Sequence, residues 1–180
     1  MTCIVSVIKD DKVWMGADSA GVCNNILDIR SDKKVFIKND FLIGFTSSFR
    51  MGDILKYNFN PTRCEDWDLE KYMVTTFVDD LREFFSKHGF LKKDNNVDYG
   101  GNFLVGIRGR IFEIGTDFQV GWTSNNYTAI GSGELVAKGA LYTMFNNFEN
   151  LSPLTMCTAA LNAAQHHTTS VREPFHILSI

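Results

Sequence analysis

The second residue of the chain is a threonine, behind the initiator Met1. Threonine is small enough for the usual aminopeptidase to remove Met1, which would make Thr2 the first residue. A free N-terminal threonine carries a nucleophile and a base in one residue. Its hydroxyl attacks a carbonyl while its own α-amine, directly or through a water, takes the proton. With an ordinary pKa of about 7.7–8.0, that amine is substantially available as a base near neutral pH. Acyl transfer through Thr2 therefore needs no separate His/Asp pair.

The other chemistry-bearing side chains offer less. Cys3, Cys23, Cys64 and Cys157 lie far apart and form no CxxC pair, so they read as free thiols in a reducing compartment, with Cys3 a small buried apolar residue. His166 and His167 are adjacent, and neighbours on a helix diverge by about 100°, so they do not readily share an ion. No Cys/His spacing supports zinc, and no GxxxxGK[ST] phosphate loop is present. We expect neither a metal nor a cofactor.

Thr2 opens a β-rich segment. Residues 2–8 and Lys12–Ala17 read as a hairpin around Asp10-Asp11, and 34–37 and Phe41–Phe45 as a second across Lys38-Asn39-Asp40. Residues 19–29, between them, read as a polar segment without regular structure. A short helix fits 49–59. Residues 68–88 read as one long helix, with Asp68 as N-cap, an apolar stripe through Leu69, Tyr72, Met73, Phe77, Leu81, Phe84 and Phe85, and Gly89 as the stop. A polar loop is expected over 91–101, a third hairpin over 102–108 and 110–115 around Gly109, and a strand over Tyr127–Gly131. Helices over 133–147 and over 152–165, the latter starting at Ser152-Pro153, precede a last strand over 175–180. Strands run in groups and so do helices, which indicates an α+β fold.

The 180 residues suffice for one domain with a sizeable core, over 1–180. Hydrophobic residues make up 44% and charged residues 22%, which excludes a disordered or fibrous chain. A net charge of −3 argues against an electrostatic grip on nucleic acid or anionic lipid. No apolar run approaches the roughly 20 residues that span a bilayer, and the first residues lack the basic start of a signal peptide, so a cytoplasmic protein is expected.

Thr2-Cys3-Ile4-Val5-Ser6-Val7, then Gly16-Ala17-Asp18-Ser19, then Lys33-Lys34-Val35, and later Ala129-Ile130-Gly131-Ser132-Gly133 follow one another in the order and spacing of proteasome β-subunits and the bacterial HslV-type peptidase, which the sequence resembles over nearly its whole length. The resemblance implies the N-terminal nucleophile (Ntn) hydrolase fold, a four-layer αββα sandwich of two antiparallel sheets flanked by helix pairs. It implies Thr2 as nucleophile, Lys34 beside it favouring deprotonation of the hydroxyl, Asp18 holding Lys34 charged and oriented, and Ser132 hydrogen-bonded to the threonine amine. Lys33 is one residue out of register. Residues 44–48 would run beside the site, with the backbone N–H of Ser47, next to Ser48, as oxyanion donor. The sequence departs from the family where Ser47 replaces a glycine, and where His166 and Thr169 take the places of an aspartate and its accompanying serine in the last helix.

By the same resemblance the chain is a threonine peptidase that cleaves polypeptides inside a ring-shaped oligomer with only Met1 ahead of its nucleophile, and a separate ATP-dependent unfoldase is a possible partner. Two other readings stay open: a non-catalytic ring or assembly protein that keeps Met1, and a small-molecule amidase of the Ntn class. Taken singly, Thr2 is also an ordinary strand residue, Asp18 a turn residue, Lys33-Lys34 a solvated edge pair and Ser132 a helix cap.

Overall fold

The structure is a computed structural model and describes residues 2–24, 26–65 and 68–180. Strands β1 (Cys3–Lys9) and β2 (Lys12–Ala17) form the first hairpin. Its turn residues Asp10 and Asp11 have φ of 53° and 56°, the left-handed pair that matches the right-handed twist of a two-residue hairpin. Then come β3 (Ala20–Cys23), β4 (Ile26–Ile29), β5 (Val35–Lys38) and β6 (Phe41–Phe45), α1 (Phe49–Asn58), α2 (Leu69–Tyr72), a π-helical turn (Met73–Phe77) and α3 (Val78–Lys87). Strands β7 (Lys92–Asp94), β8 (Val97–Tyr99), β9 (Phe103–Ile107), β10 (Arg110–Ile114), β11 (Val120–Trp122) and β12 (Tyr127–Gly131) follow, then α4 (Glu134–Asn147), α5 (Pro153–His167) and β13 (His176–Ser179).

Two antiparallel sheets carry the fold, in the orders β12-β1-β2-β13 and β11-β10-β9-β6-β5. Strand alternation sorts the side chains into three apolar layers. On β1, Ile4 faces the second sheet and packs with Met15, Leu42, Leu104 and Ile130. Its neighbours Cys3, Val5 and Val7 face the other way, onto Ala137 and Leu141 of α4 and Cys157, Ala160 and Leu161 of α5. The outer face of the second sheet, with Ile43, Phe45, Phe103 and Phe112, is covered by Met51 and Leu55 of α1, Phe77 of the π turn and Phe85 of α3. Helices thus cover both sheets from outside: the αββα sandwich expected from the sequence. Because both faces of β1 are covered, it is buried from Cys3 through Val7.

Four local expectations are corrected. Residues 19–29 contain the β3–β4 hairpin, which turns at Asn24 with φ 48°. Residues 91–101 contain the β7–β8 hairpin, since Asn95 and Asn96 tolerate φ of 48° and 67° and so supply its turn. In both, short exposed strands among polar residues hid the signal. The helix over 68–88 is interrupted by its π turn, an inserted residue that hydrophobic periodicity does not reveal. β11 was not anticipated; it is a short strand added to β10.

Candidate active site

Thr2 enters the fold immediately before β1 and is 2% exposed. Three elements converge on it. Asp18 follows β2, which pairs with β1 so that Ala17 lies opposite Ile4. Lys34 directly precedes β5. Ser132 directly follows β12, whose Gly131 lies opposite Cys3. Strand pairing thus gathers residues 2, 18 and 132 at one end of the first sheet, and the packing of the second sheet against it brings Lys34 there.

Lys34 Nζ donates to Thr2 Oγ1, to Asp18 Oδ1 at 2.9 Å and to the Ala20 carbonyl at 2.6 Å. Lys34 is 2% exposed and Asp18 0% exposed, whereas Lys33 lies on the surface. Burial pulls the Lys34 ammonium below the ordinary lysine range, and the Asp18 carboxylate partly opposes that pull. Asp18 also accepts from the Cys3 N–H at 2.9 Å and, on Oδ2, from the N–H groups of Ala20 at 2.8 Å and Arg172 at 3.4 Å. A buried charge needs such a set of partners.

The Thr2 N–H donates to Ser132 Oγ at 3.1 Å; that hydroxyl lies 3.1 Å from the Thr2 carbonyl and 2.7 Å from Ser170 Oγ. While Met1 is attached this nitrogen is an amide, and Met1 itself lies outside the described residues. Gly131 permits the approach. Its φ is +98°, and a Cβ there would stand 2.3 Å from the Thr2 carbonyl oxygen.

Beside Thr2 lies a cavity of about 80 Å³, bounded by Lys34, Val22, Phe45, Phe49 and the turn at 46–48. Ser47 has φ +71°, the conformation of a glycine position. Its hydroxyl is drawn toward Asn102, whose N–H donates to it at 3.3 Å, and among the described residues its own N–H meets no acceptor. The Ser48 N–H instead donates to the Thr46 carbonyl at 2.8 Å, so of the two expected oxyanion donors only Ser47 keeps a free N–H. The Arg30 guanidinium lies over the ring of Phe49, 3.9 Å from its centroid. A larger cleft of about 690 Å³ lies at the Tyr127 end of β12, among Glu113, Trp122, Lys138 and Tyr142, and shares no lining residue with the Thr2 cavity.

His166 and Thr169 do not join the cluster; both are exposed. The residue that reaches Ser132 is Ser170, which is 3% exposed and which the sequence reading missed by one position. Helix α5 ends at His167, and Thr168 is already extended, with φ −131° and ψ 147°. Residues 169 and 170 then form a turn that leaves Thr169 exposed and Ser170 buried. The Ala20 carbonyl and the Arg172 N–H carry no side-chain signal and are visible only in the structure.

No family model matches the sequence, and neither does any curated protein. Solved structures do. BPH of Thiobacillus denitrificans, in its complex with epoxomicin, superposes with a TM-score of 0.83 at 18% identity, covering 99% of this chain and 98% of that one. Eukaryotic HslV from Trypanosoma brucei superposes with a TM-score of 0.71 at 18% identity, again over 99% and 98% of the two chains. The chain has the fold of the proteasome-type, HslV-like peptidases. On this HslV-like fold the Thr2 cluster sits at one open end of the paired sheets, and no helix among the described residues is long and apolar enough to cross a membrane. Nor do the described residues group three or more His, Cys, Asp or Glu side chains in a way that would hold a metal ion.

Proposed function

We propose that the chain, as one domain over 1–180, is a proteasome-like subunit that hydrolyses peptide bonds with Thr2 as nucleophile once Met1 is removed. The observation that carries this reading is the hydrogen bond from Lys34 Nζ to Thr2 Oγ1, made by an ammonium that Asp18 holds at 2.9 Å.

With Met1 gone, the Thr2 amine lies against Ser132 Oγ, and an accepted proton is held there. Thr2 Oγ1 attacks the substrate carbonyl, its proton passes to the amine, and the Lys34 ammonium stabilises the developing alkoxide. The tetrahedral oxyanion receives the free Ser47 N–H. Collapse breaks the C–N bond, the amine returns its proton to the leaving nitrogen, and an ester on Thr2 remains. Water then adds to that ester with the amine as base and releases Thr2.

Self-association into a ring, as the fold's relatives suggest, would enclose the site, and a separate ATP-dependent unfoldase would feed it polypeptide. Intact-mass spectrometry of protein from its own host tests the first requirement: the expected mass lacks Met1, and Met1 on every chain overturns the mechanism and favours a non-catalytic ring protein. Epoxomicin, which BPH binds, is a direct probe: we expect it to bind the Met1-free protein and not the Thr2→Ala variant. A monomer in light scattering would favour the small-molecule amidase.

A further inference from the structure

Between α5 and β13 the chain crosses the back of the site, and one side chain fastens it. Arg172 Nη1 donates to the carbonyls of Gln165 at 3.3 Å, Thr168 at 2.9 Å and Val171 at 2.6 Å. Two of these are carbonyls from the last turn and cap of α5, which have no partner within the helix and which a cation satisfies well. The third belongs to the loop itself, so the guanidinium draws 168–172 into a closed curl against the helix end.

What the curl presents matters more than what it caps. Ser170, inside it, meets Ser132 Oγ at 2.7 Å. Val171 is fully buried in the layer between the first sheet and its helices, below Gly133. The main chain of Arg172 then closes on the other half of the site: its N–H points to Asp18 Oδ2 at 3.4 Å, and its carbonyl accepts from the Ser19 N–H at 2.8 Å. One residue thus touches neither Thr2 nor Lys34, yet holds a partner of each.

We propose that Arg172 is a positioning residue: by fastening its loop to the end of α5 it holds Ser170 against Ser132 and the Asp18 carboxylate against Lys34, and so keeps the Thr2 nitrogen and the Lys34 ammonium in register. This rests on the peptidase reading for its effect on turnover but not for its effect on geometry. No expectation from the sequence pointed to it, since an arginine in a polar loop reads as surface charge.

The test compares Arg172→Met, which keeps the stem and loses the donors, with Arg172→Lys, which keeps one charged donor. On a peptide amide we expect Arg172→Met to lower kcat roughly tenfold with KM within about twofold, and Arg172→Lys to recover most of the loss. In a Ser170→Ala background, Arg172→Met should cost less than in the wild type, because part of what it positions is already gone. Wild-type kcat in Arg172→Met, or losses that multiply in full across the two backgrounds, overturn the proposal. If Arg172→Met does not fold, Arg172→Gln against Ser170→Ala carries the same cycle. If the wild type cleaves no peptide, the peptidase reading falls and a crystal structure decides this one. In the Arg172→Met or Arg172→Gln variant we expect the Ser132 and Ser170 hydroxyls to separate beyond hydrogen-bond range, and an unchanged 2.7 Å contact overturns it.

Discussion

Ser170 and Ser132 meet hydroxyl to hydroxyl at 2.7 Å, and Ser132 reaches on to the nitrogen of Thr2 at 3.1 Å. The nitrogen proposed as base is therefore held by a chain of two serines from different parts of the sequence, and the second of them lies in a loop after the last helix.

That chain has a simple consequence. Replacing Ser170 by Ala leaves Ser132 free to rotate and should lower kcat for a peptide amide roughly tenfold, the scale of one lost hydrogen bond. Thr169→Ala, one residue earlier and exposed, should leave turnover unchanged. The reverse order of effects would mean that the exposed residue, not Ser170, serves the site.

The Asp18–Lys34 pair should dominate local stability. Asp18 is fully buried and accepts from Lys34, Cys3 and Ala20 within 2.9 Å. Asp18→Asn strands the Lys34 ammonium and turns an amide toward N–H donors, so a loss of about 3–5 kcal/mol is expected in chemical denaturation. Lys34→Met should cost a similar amount by stranding the carboxylate, and the double variant less than the sum. Additive losses would show that the two charges are not coupled.

The pH dependence of stability follows from the direction of the Lys34 shift. Burial lowers its folded-state pKa below the ordinary 10.5, with Asp18 opposing. Below the folded value both states are charged and burial works against folding. Between the folded value and 10.5 the unfolded chain binds the extra proton, so stability rises with pH. Urea titrations from neutral pH upward should find the wild type gaining on Lys34→Met through that window. A falling difference would mean the shift has the opposite sign.

Gly131 has no tolerable substitute. Alanine would place its Cβ 2.3 Å from the Thr2 carbonyl oxygen at a φ of +98°. We expect Gly131→Ala to lose about 2–4 kcal/mol in a melt, and to lose turnover as Thr2 is displaced.

The buried cysteines make a prediction of their own. Burial, with Asp18 adding to it, pushes the Cys3 thiol up to about 12, and burial alone pushes Cys157 to about 12. Neither should react with a thiol reagent in the folded protein, while exposed Cys23 should. Rapid native labelling of Cys3 would show that the start of β1 is open to solvent in the folded protein.

Much of this was legible in advance because it is local or periodic. The Asp10-Asp11 turn, the alternation on β1 and the apolar stripe of 68–88 each follow from neighbouring residues, and they led to the right layers. The grouping of Thr2, Asp18 and Lys34 was expected from the resemblance to proteasome β-subunits, and the structure brings these three side chains together. Ser170 was missed because the end of α5 decides it: a helix that continued would have favoured one residue, and an extended exit at Thr168 favours another. The exposed hairpins β3–β4 and β7–β8 were missed because few of their side chains are buried enough to leave a pattern.

By itself, then, the sequence led to the αββα layering and to an expected grouping of Thr2, Asp18, Lys34 and Ser132, the first through strand and helix period together with its resemblance to proteasome β-subunits and the second through that resemblance alone. Only the tertiary structure decided which backbone groups complete that group. The Ala20 carbonyl and the Arg172 N–H carry no signal in the residue type, and a main-chain atom becomes a partner only through where the fold brings it.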